Sequence, residues 1–412
     1  MKIAVIGSGI SGLSAAYYLS KKHSVDLFEK EDHFGGHAHT VDLVLEDKKI
    51  SVDIGFIVFN HHTYPNLIKF FKEIDVDIEK SDMSFSVSVE NTNYEYCGKG
   101  LAGIFVNKSN LLNFKFLRMF FDIIRFYKSC DKISSLDKEI TLNEFLEKNE
   151  WSKGFIDYHI IPMVSAIWSM PPYESGKMPM NFFLKFFQNH GLFKLKDRPQ
   201  WYTVAKRSRT YVSKVLPKIS GEYYKNYKIN SIKRNSSGVQ VYYGGKNEYF
   251  DYDKVVIAVH ADEALSLIEK PTAQEQNILS KFNYRENIAV LHTDENFMPN
   301  NKKAWSSWNS FIDPRDLSKS SLSYWLNLLQ NLKDQKNIFL TLNPFKEIPE
   351  NKILKKIKFT HPYYNQSALE YQKELKKLQN KEKLLFCGSY FGYGFHEDGI
   401  KSSIEMIENL ND

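Results

Sequence analysis

The chain predicts an α/β fold: a Rossmann-type dinucleotide-binding domain with an interleaved α+β substrate domain. Three observations carry this. Lys2-Ile3-Ala4-Val5-Ile6 is an apolar, β-rich run suited to a buried parallel strand, and it breaks at once into Gly7-Ser8-Gly9-Ile10-Ser11-Gly12. Good helix formers follow from Leu13 to Leu19, and a second strand-like run, Ser24 to Phe28, ends at Glu29, about where a ribose-binding acid is expected. Far downstream, Lys254 to Val259 reads as a buried strand returning to the same sheet, and Lys383 to Phe386 as a strand entering the Gly388-Ser389 turn.

In the first motif each residue type has a task. Gly7 permits the tight turn, Gly9 lets the backbone approach a pyrophosphate, and Gly12 allows close packing of helix on strand. The helix N-terminus offers N–H groups to the anion. Glu29 accepts hydrogen bonds from ribose hydroxyls and repels a 2′-phosphate, which suits an unphosphorylated adenosine ribose.

Length and composition set bounds on the rest. At 412 residues the chain suits two interleaved domains: 1–75, 200–270 and 380–412 for nucleotide binding, and 76–199 and 271–379 for the substrate. A hydrophobic share of 42% with 25% charged residues is that of an ordinary soluble globular protein, and a net charge of +6 falls short of a nucleic-acid-binding signature. The 30 Phe and 24 Tyr suit either an apolar ligand cavity or a phenylalanine-rich core. Cys97, Cys130 and Cys387, odd in number and far apart, read as reduced cytosolic thiols and not as a disulfide framework or metal site. The N-terminal apolar run is the first strand and not a signal peptide, and no stretch is apolar enough to span a bilayer. The expected location is therefore cytoplasmic.

After Glu29, the Gly35-Gly36 pair lets the backbone pass close to a long, bent ligand. Thr40 to Leu45 and Lys49 to Asp53 form a hairpin leading to Asp53-Ile54-Gly55-Phe56-Ile57, where Gly55 marks either close approach to a ligand or a strand end. A helix begins near Pro65. Ser84 to Tyr96 alternates as strand material around the Asn91-Thr92-Asn93 turn. A long helix is expected over Leu111 to Ser129, with Phe114, Leu117, Phe121, Ile124 and Tyr127 on one face, and another after a Thr141 cap. Phe182, Phe183, Phe186, Phe187 and Phe193 run into basic residues from Lys194 to Lys218. That pattern reads either as peripheral contact with a membrane, at its inner face, or as a solvated face over a core stripe. Lys225 to Val241 returns to strands, Asp262 is placed as a helix cap, and Asn287 to Thr293 begins a second excursion. Gly394-Phe395-His396-Glu397-Asp398-Gly399-Ile400 opens a final helix whose N-terminus can stabilise negative charge on an electron-rich ligand edge.

Taken together, Gly7 to Gly12, Gly35-Gly36, Asp53 to Tyr64, Arg198 to Val212, Val290 to Asp294, Ser306 to Asn309, Phe359 to Pro362 and Gly392 to Gly399 resemble a bacterial branch of the flavin amine oxidase superfamily. Thr63-Tyr64-Pro65-Asn66 and Phe395-His396-Glu397-Asp398-Gly399 are the branch-specific segments. The resemblance implies FAD, bound non-covalently through Gly7, Gly9, Ser11, Gly12, Glu29, Lys30, Gly35, Gly36, His37, Gly55, Phe56, Ile57, Ile229, Gly388, Ser389, Gly399 and Ile400. Ile229 is placed against the adenine, and Gly55 to Ile57 beside the flavin. Two departures stand out. The superfamily's arginines around the glycine pair are replaced by His33 and His37, and the branch's glycine pair before Ser208-Arg209 is replaced by Lys206 and Arg207. No lysine stands at Asn287 or Ile288, where amine oxidases commonly keep one.

The resemblance further implies an FAD-dependent oxidoreductase that abstracts a hydride from an apolar substrate, an unsaturated or branched fatty acyl chain, with desaturation or double-bond isomerisation as outcome. The electron acceptor is left open. A primary amine is the alternative substrate, and a non-catalytic flavin-binding membrane-docking module the alternative class. The same comparison places His396 and His361 at the reacting site, as acid, base or substrate-orienting group, or as structural histidines.

Overall fold

The computed structural model describes every residue except 134, 137, 138, 246, 247, 334, 411 and 412. The last two end the segment assigned above to the nucleotide domain and lie outside the described residues. Its organising element is a five-stranded parallel sheet whose spatial order is Tyr223–Tyr224, Ser24–Phe28, Lys2–Ile6, Lys254–Ile257 and Leu384–Phe386. Val5, Val25, Leu27, Val255 and Val256 are fully buried, as expected of parallel strands covered on both faces. From the central strand Lys2–Ile6 the chain moves to one side, to Ser24–Phe28, and later returns to the other, to Lys254–Ile257. The loops leaving Ile6 and Ile257 therefore flank the point where strand order reverses, the place where open α/β sheets bind ligands.

The first helix, Ile10–Leu19, crosses the last, His396–Glu408. A Cβ on Gly399 would lie 2.7 Å from Ser11 Oγ and 2.8 Å from Ile10 Cγ2, so Gly399 sets how closely the helices approach. Ser14 and Ser403 hydroxyls bond across the same crossing at 2.7 Å. Both ends of the polypeptide thus lie in one layer.

A second sheet of seven strands runs in the order Ile353–Tyr363, Asn283–His292, Phe339–Leu342, Ser320–Trp325, Trp308–Ile312, Phe85–Val89 and Glu95–Cys97. It is antiparallel except where Trp308–Ile312 pairs with Phe85–Val89. Helices Phe114–Cys130, Leu142–Lys148, Ile161–Trp168 and Met180–Asn189 share a phenylalanine-rich core in which Phe116, Phe126, Phe155, Phe183 and Phe187 are fully buried. Their rings meet one another, Phe183 and Phe187 with centroids 4.1 Å apart. The aromatic excess goes into packing here.

Several expectations are revised. In Phe114–Cys130 the buried face is Phe116, Met119, Ile123, Phe126 and Tyr127, whereas Phe114 is 87% and Phe121 64% exposed. Only Tyr127 of the expected apolar face is fully inside. Phe183, Phe186 and Phe187 are core residues, so the stripe ahead of the basic run is not available to a membrane. The helix at Ala261–Leu267 is preceded by His260, with Asp262 in its first turn and not at the cap. Asp53 ends a strand, and the chain bends at Ile54 and Gly55 and runs on without regular structure to Phe59–Asn60. By contrast, Thr141 makes a full capping box with Glu144.

Candidate functional site

The glycine-rich turn is held from two sides. Gly7 has φ +96°, and a Cβ there would lie 2.8 Å from the carbonyl oxygen of Ala258, on the neighbouring strand's exit. Gly12 packs onto the Gly7 carbonyl. Gly9 differs: a Cβ on it would meet nothing within 4 Å, so protein packing does not demand its lack of a side chain. The space before Gly9 at the start of Ile10–Leu19 is where a pyrophosphate would meet helix N–H groups.

Glu29 ends the second strand with its carboxylate turned to this loop. Ser8 N and Oγ donate to Oε2 at 2.9 and 2.5 Å, and Glu31 N donates to Oε1 at 3.0 Å. Tyr227 N donates to the Glu29 carbonyl at 2.7 Å, which brings the run leading to Ile229 beside the carboxylate, and Ile229 packs in one cluster with Phe28. Lys30 points outward and pairs with Glu263 at 2.8 Å. Gly35 and Gly36 (φ +118° and +57°) dock on the loop: Gly35 N donates to Ser8 O and Ser8 Oγ, both at 3.1 Å, and a Cβ on Gly36 would stand 3.1 Å from Gly9 Cα.

Gly55 resolves into a definite contact. Its Cβ would fall 2.2 Å from the His37 carbonyl, which accepts from Phe56 N at 2.7 Å. The close approach is to the glycine-pair segment's own backbone. This fixes Phe56, whose ring stacks on His396 with centroids 3.7 Å apart and 13° between planes. Ile57 is buried in the cluster of the seven-stranded sheet. Gly388 N donates to Ser402 Oγ at 2.9 Å, Ser389 starts a short 3-10 turn, and Ile400 is fully buried near the first helix.

The two candidate histidines come together through His37. Its ring centroid lies 5.4 Å from that of His361 and 6.5 Å from that of His260, and its buried Nε2 has no hydrogen-bond partner among the described residues. Burial, then the neighbouring His361, His260 and His396, hold His37 well below the ordinary imidazole range. Burial takes His361 down to about 4 and, acting alone, takes His396 down to about 3. All three are neutral at physiological pH. Asn343 Nδ2 donates to Asn287 Oδ1 at 2.7 Å, so the Asn287 amide nitrogen faces His361 Nδ1 at 2.8 Å and donates to it. The His361 proton therefore resides on Nε2. His396 Nε2 lies 3.3 Å from the Tyr211 hydroxyl.

Sequence reasoning missed His260 and the residues that hold it, Tyr284 (stacked, centroids 4.2 Å apart) and Thr360 (Oγ1 to Nδ1, 3.3 Å). The rule that ligands gather at the carboxyl ends of strands beside the switch point would have singled it out, because it follows Lys254–Ile257 within three residues.

Two motif pairs prove to be single devices. Glu397 accepts from Asn66 N, Asn66 Nδ2 and Leu67 N at 3.0, 2.7 and 3.0 Å, joining the closing motif to Tyr64-Pro65-Asn66. Asp53, buried, accepts from Ser208 N, Ser208 Oγ and Thr40 Oγ1 at 2.8, 2.7 and 2.6 Å. Lys206 and Arg207 both take left-handed backbone (φ +61° and +80°), at a cost in strain.

Comparison with known proteins agrees with this geometry. Residues 5–74 match the NAD(P)-binding Rossmann-like domain. Over 79 residues the chain is 39% identical to a 1-hydroxycarotenoid 3,4-desaturase from Flavobacterium sp. (strain P99-3), a match spanning 19% of this chain and 15% of that protein's length. Among solved structures it resembles a CLA-producing fatty acid isomerase from P. acnes (14% identity, TM-score 0.67, 99% and 98% of the two chains). It likewise resembles the cyclohexylamine oxidase of Brevibacterium oxydans IH-35A (13% identity, TM-score 0.67, 100% and 99%). The chain thus shares its fold with these two solved structures over nearly its whole length, and its residues 5–74 form a Rossmann-like dinucleotide-binding module.

Proposed function

We propose that the protein is an FAD-dependent oxidoreductase acting on an apolar substrate, an unsaturated or branched fatty acyl chain. The observation that carries this reading is the meeting, at one sheet edge, of the Gly7 to Gly12 turn, Glu29, Gly35-Gly36, Phe56 and the N-terminus of the last helix, with three neutral histidines beside them. The residues fit FAD: Gly9 faces open space for the phosphates, Glu29 stands at the ribose position, and His37 Nε2 is a buried polar atom awaiting a partner. In this reading Ser11, Gly12, Ile229, Gly388, Ser389, Gly399 and Ile400 would shape the remaining wall and Lys30 would border it from solvent.

When bound, FAD supplies the hydride acceptor. The chain's own residues then exclude water, orient the substrate and hold protons. An imidazole held near 3 or 4 is a weak base at neutral pH. His396 and His361 are therefore suited to orienting and to neutral hydrogen bonding, His361 through Nε2–H, and not to stripping a proton from a strong C–H bond. That favours hydride abstraction with its return to another carbon, in which no net proton is lost; where the hydride is not returned, the substrate cation it leaves has a C–H acidic enough to give its proton to the neutral His396 imidazole. The carotenoid desaturase and fatty acid isomerase likenesses support an apolar substrate, while the cyclohexylamine oxidase likeness keeps amines as the second class to be tried.

The test is anaerobic titration of the FAD-reconstituted protein with unsaturated fatty acids and with primary amines, joined to product analysis. Bleaching or double-bond movement with lipids alone is expected. Bleaching by amines alone, or no colour after reconstitution, refutes the reading. His361→Ala and His396→Ala should retain FAD yet lower turnover by about tenfold, the equivalent of one lost orienting hydrogen bond of about 1.4 kcal/mol.

A further inference from the structure

Helix Phe114–Cys130 has two faces of opposite fate. One packs into the phenylalanine core. The other turns Phe114 and Phe121 to solvent at 87% and 64% exposure, about two helical turns apart, with Leu117 and Ile124 half-buried at its edge. Leu111 and Leu112, just ahead of it, are 51% and 86% exposed. The helix is properly started, since Asn113 Oδ1 accepts from Lys115 N and Phe116 N, so the outward rings sit on a regular scaffold. Single exposed apolar residues are ordinary, but four large ones gathered at one helix and its entry are not.

Charge says what they meet. Lys108, Lys115, Arg118, Arg125 and Lys128 flank the apolar residues, and the one acid in this span, Asp122, is buried beneath Arg125 Nη2 (3.1 Å) and Ser152 N (2.9 Å). Lys115, Arg118 and Lys128 form no ion pair with any described residue. Past the helix end, Lys128, Lys194 and Lys196 line one cavity of about 370 Å³ together with Leu195 and two acids, Asp131 and Asp197, so the cationic border weakens there. A second copy of this chain would bring the same cations against themselves in a two-fold contact. An anionic bilayer would receive leucine and phenylalanine at its acyl boundary and basic residues among its headgroups.

We propose that this face, centred on Phe114 and Phe121 with Lys115 and Arg118 beside them, docks the protein on an anionic lipid surface. The inference rests on surface chemistry and stands apart from the reading of the reaction.

Flotation of the FAD-loaded protein with phosphatidylcholine vesicles, with and without phosphatidylglycerol, tests it. Binding to the anionic vesicles is expected, at least about tenfold tighter than to phosphatidylcholine alone and weakened by salt. Phe114→Ser with Phe121→Ser should lower it at least about tenfold. Lys115→Glu with Arg118→Glu should abolish the preference for phosphatidylglycerol. Absence of wild-type binding to the anionic vesicles, or equal binding by the double-phenylalanine variant, overturns the proposal. Light scattering supplies the remaining outcome: a dimer lost in that variant assigns the face to a second copy and overturns it too. Should one variant fold poorly, the charge-reversed variant and the wild-type salt series decide.

Discussion

Replacing Glu397 tests the link between the two ends of the site. Helix Pro65–Glu73 begins without a side-chain cap of its own: Tyr64 precedes it, and Pro65 has no N–H to offer. The next two N–H groups, of Asn66 and Leu67, are satisfied from the closing motif more than three hundred residues away, through Glu397. Asn66 Nδ2 adds a third bond. Burial pushes the Glu397 carboxyl up while these donors pull it back. A lost helix cap costs about 1 kcal/mol, and hydrogen bonds to a charged group about 1.5–3 kcal/mol each before rearrangement. Glu397→Ala should therefore lose about 2–4 kcal/mol. Glu397→Gln keeps an oxygen for Asn66 and deprives only Leu67, so it should lose about half as much. Urea unfolding, followed by tryptophan fluorescence and by release of FAD, measures both. An alanine variant within about 0.5 kcal/mol of wild type would refute the assignment, because ordinary surface changes stay in that range.

Lys206→Gly removes an exposed lysine from left-handed backbone and should raise stability by about 0.5–1 kcal/mol in urea, since strain relieved exceeds chain entropy added. Acid should destabilise the fold through His159, His190 and His292, all buried and taken by burial to about 3, 4 and 4. The unfolded chain binds their protons below about pH 6.5 and the fold does not, so stability is full above that pH and falls beneath it. At pH 5.5 each of these three costs about 1.4 kcal/mol, the site histidines His37, His361 and His396 act in the same direction, and Asp398, raised to about 6 chiefly by burial, offsets about 1 by taking up a proton in the fold. Melting curves between pH 7.5 and about 5 check the sign, and a flat profile would refute it.

How much was legible depended on whether a residue's neighbour was close in sequence. Strands 2–6, 24–28, 254–257 and 384–386 announce themselves by apolar runs bounded by glycine or acid, because a strand buried on both faces needs nothing else. The Thr141 cap needs only Glu144. Helix 114–130 was legible as a helix but not in its orientation. Both of its faces carry phenylalanine, and only the packing partners Phe155, Phe183 and Phe193 decide which is inside. The same limit hid the reason for Gly55, whose neighbour is the His37 carbonyl, whereas His260 was within reach through its place just after Lys254–Ile257.

The parallel sheet has a consequence in time. Its central strand is made within the first few residues, yet the strand on its far side begins at Lys254 and the outermost at Leu384. At about 5–20 residues per second of synthesis, the stretch from Phe28 to Lys254 takes roughly 10–45 s. Through that interval the edge of Lys2–Ile6 has no native partner on one side. A nascent chain of this kind invites chaperone attention along that strand, and the sheet is completed only once Leu384–Phe386 has been made.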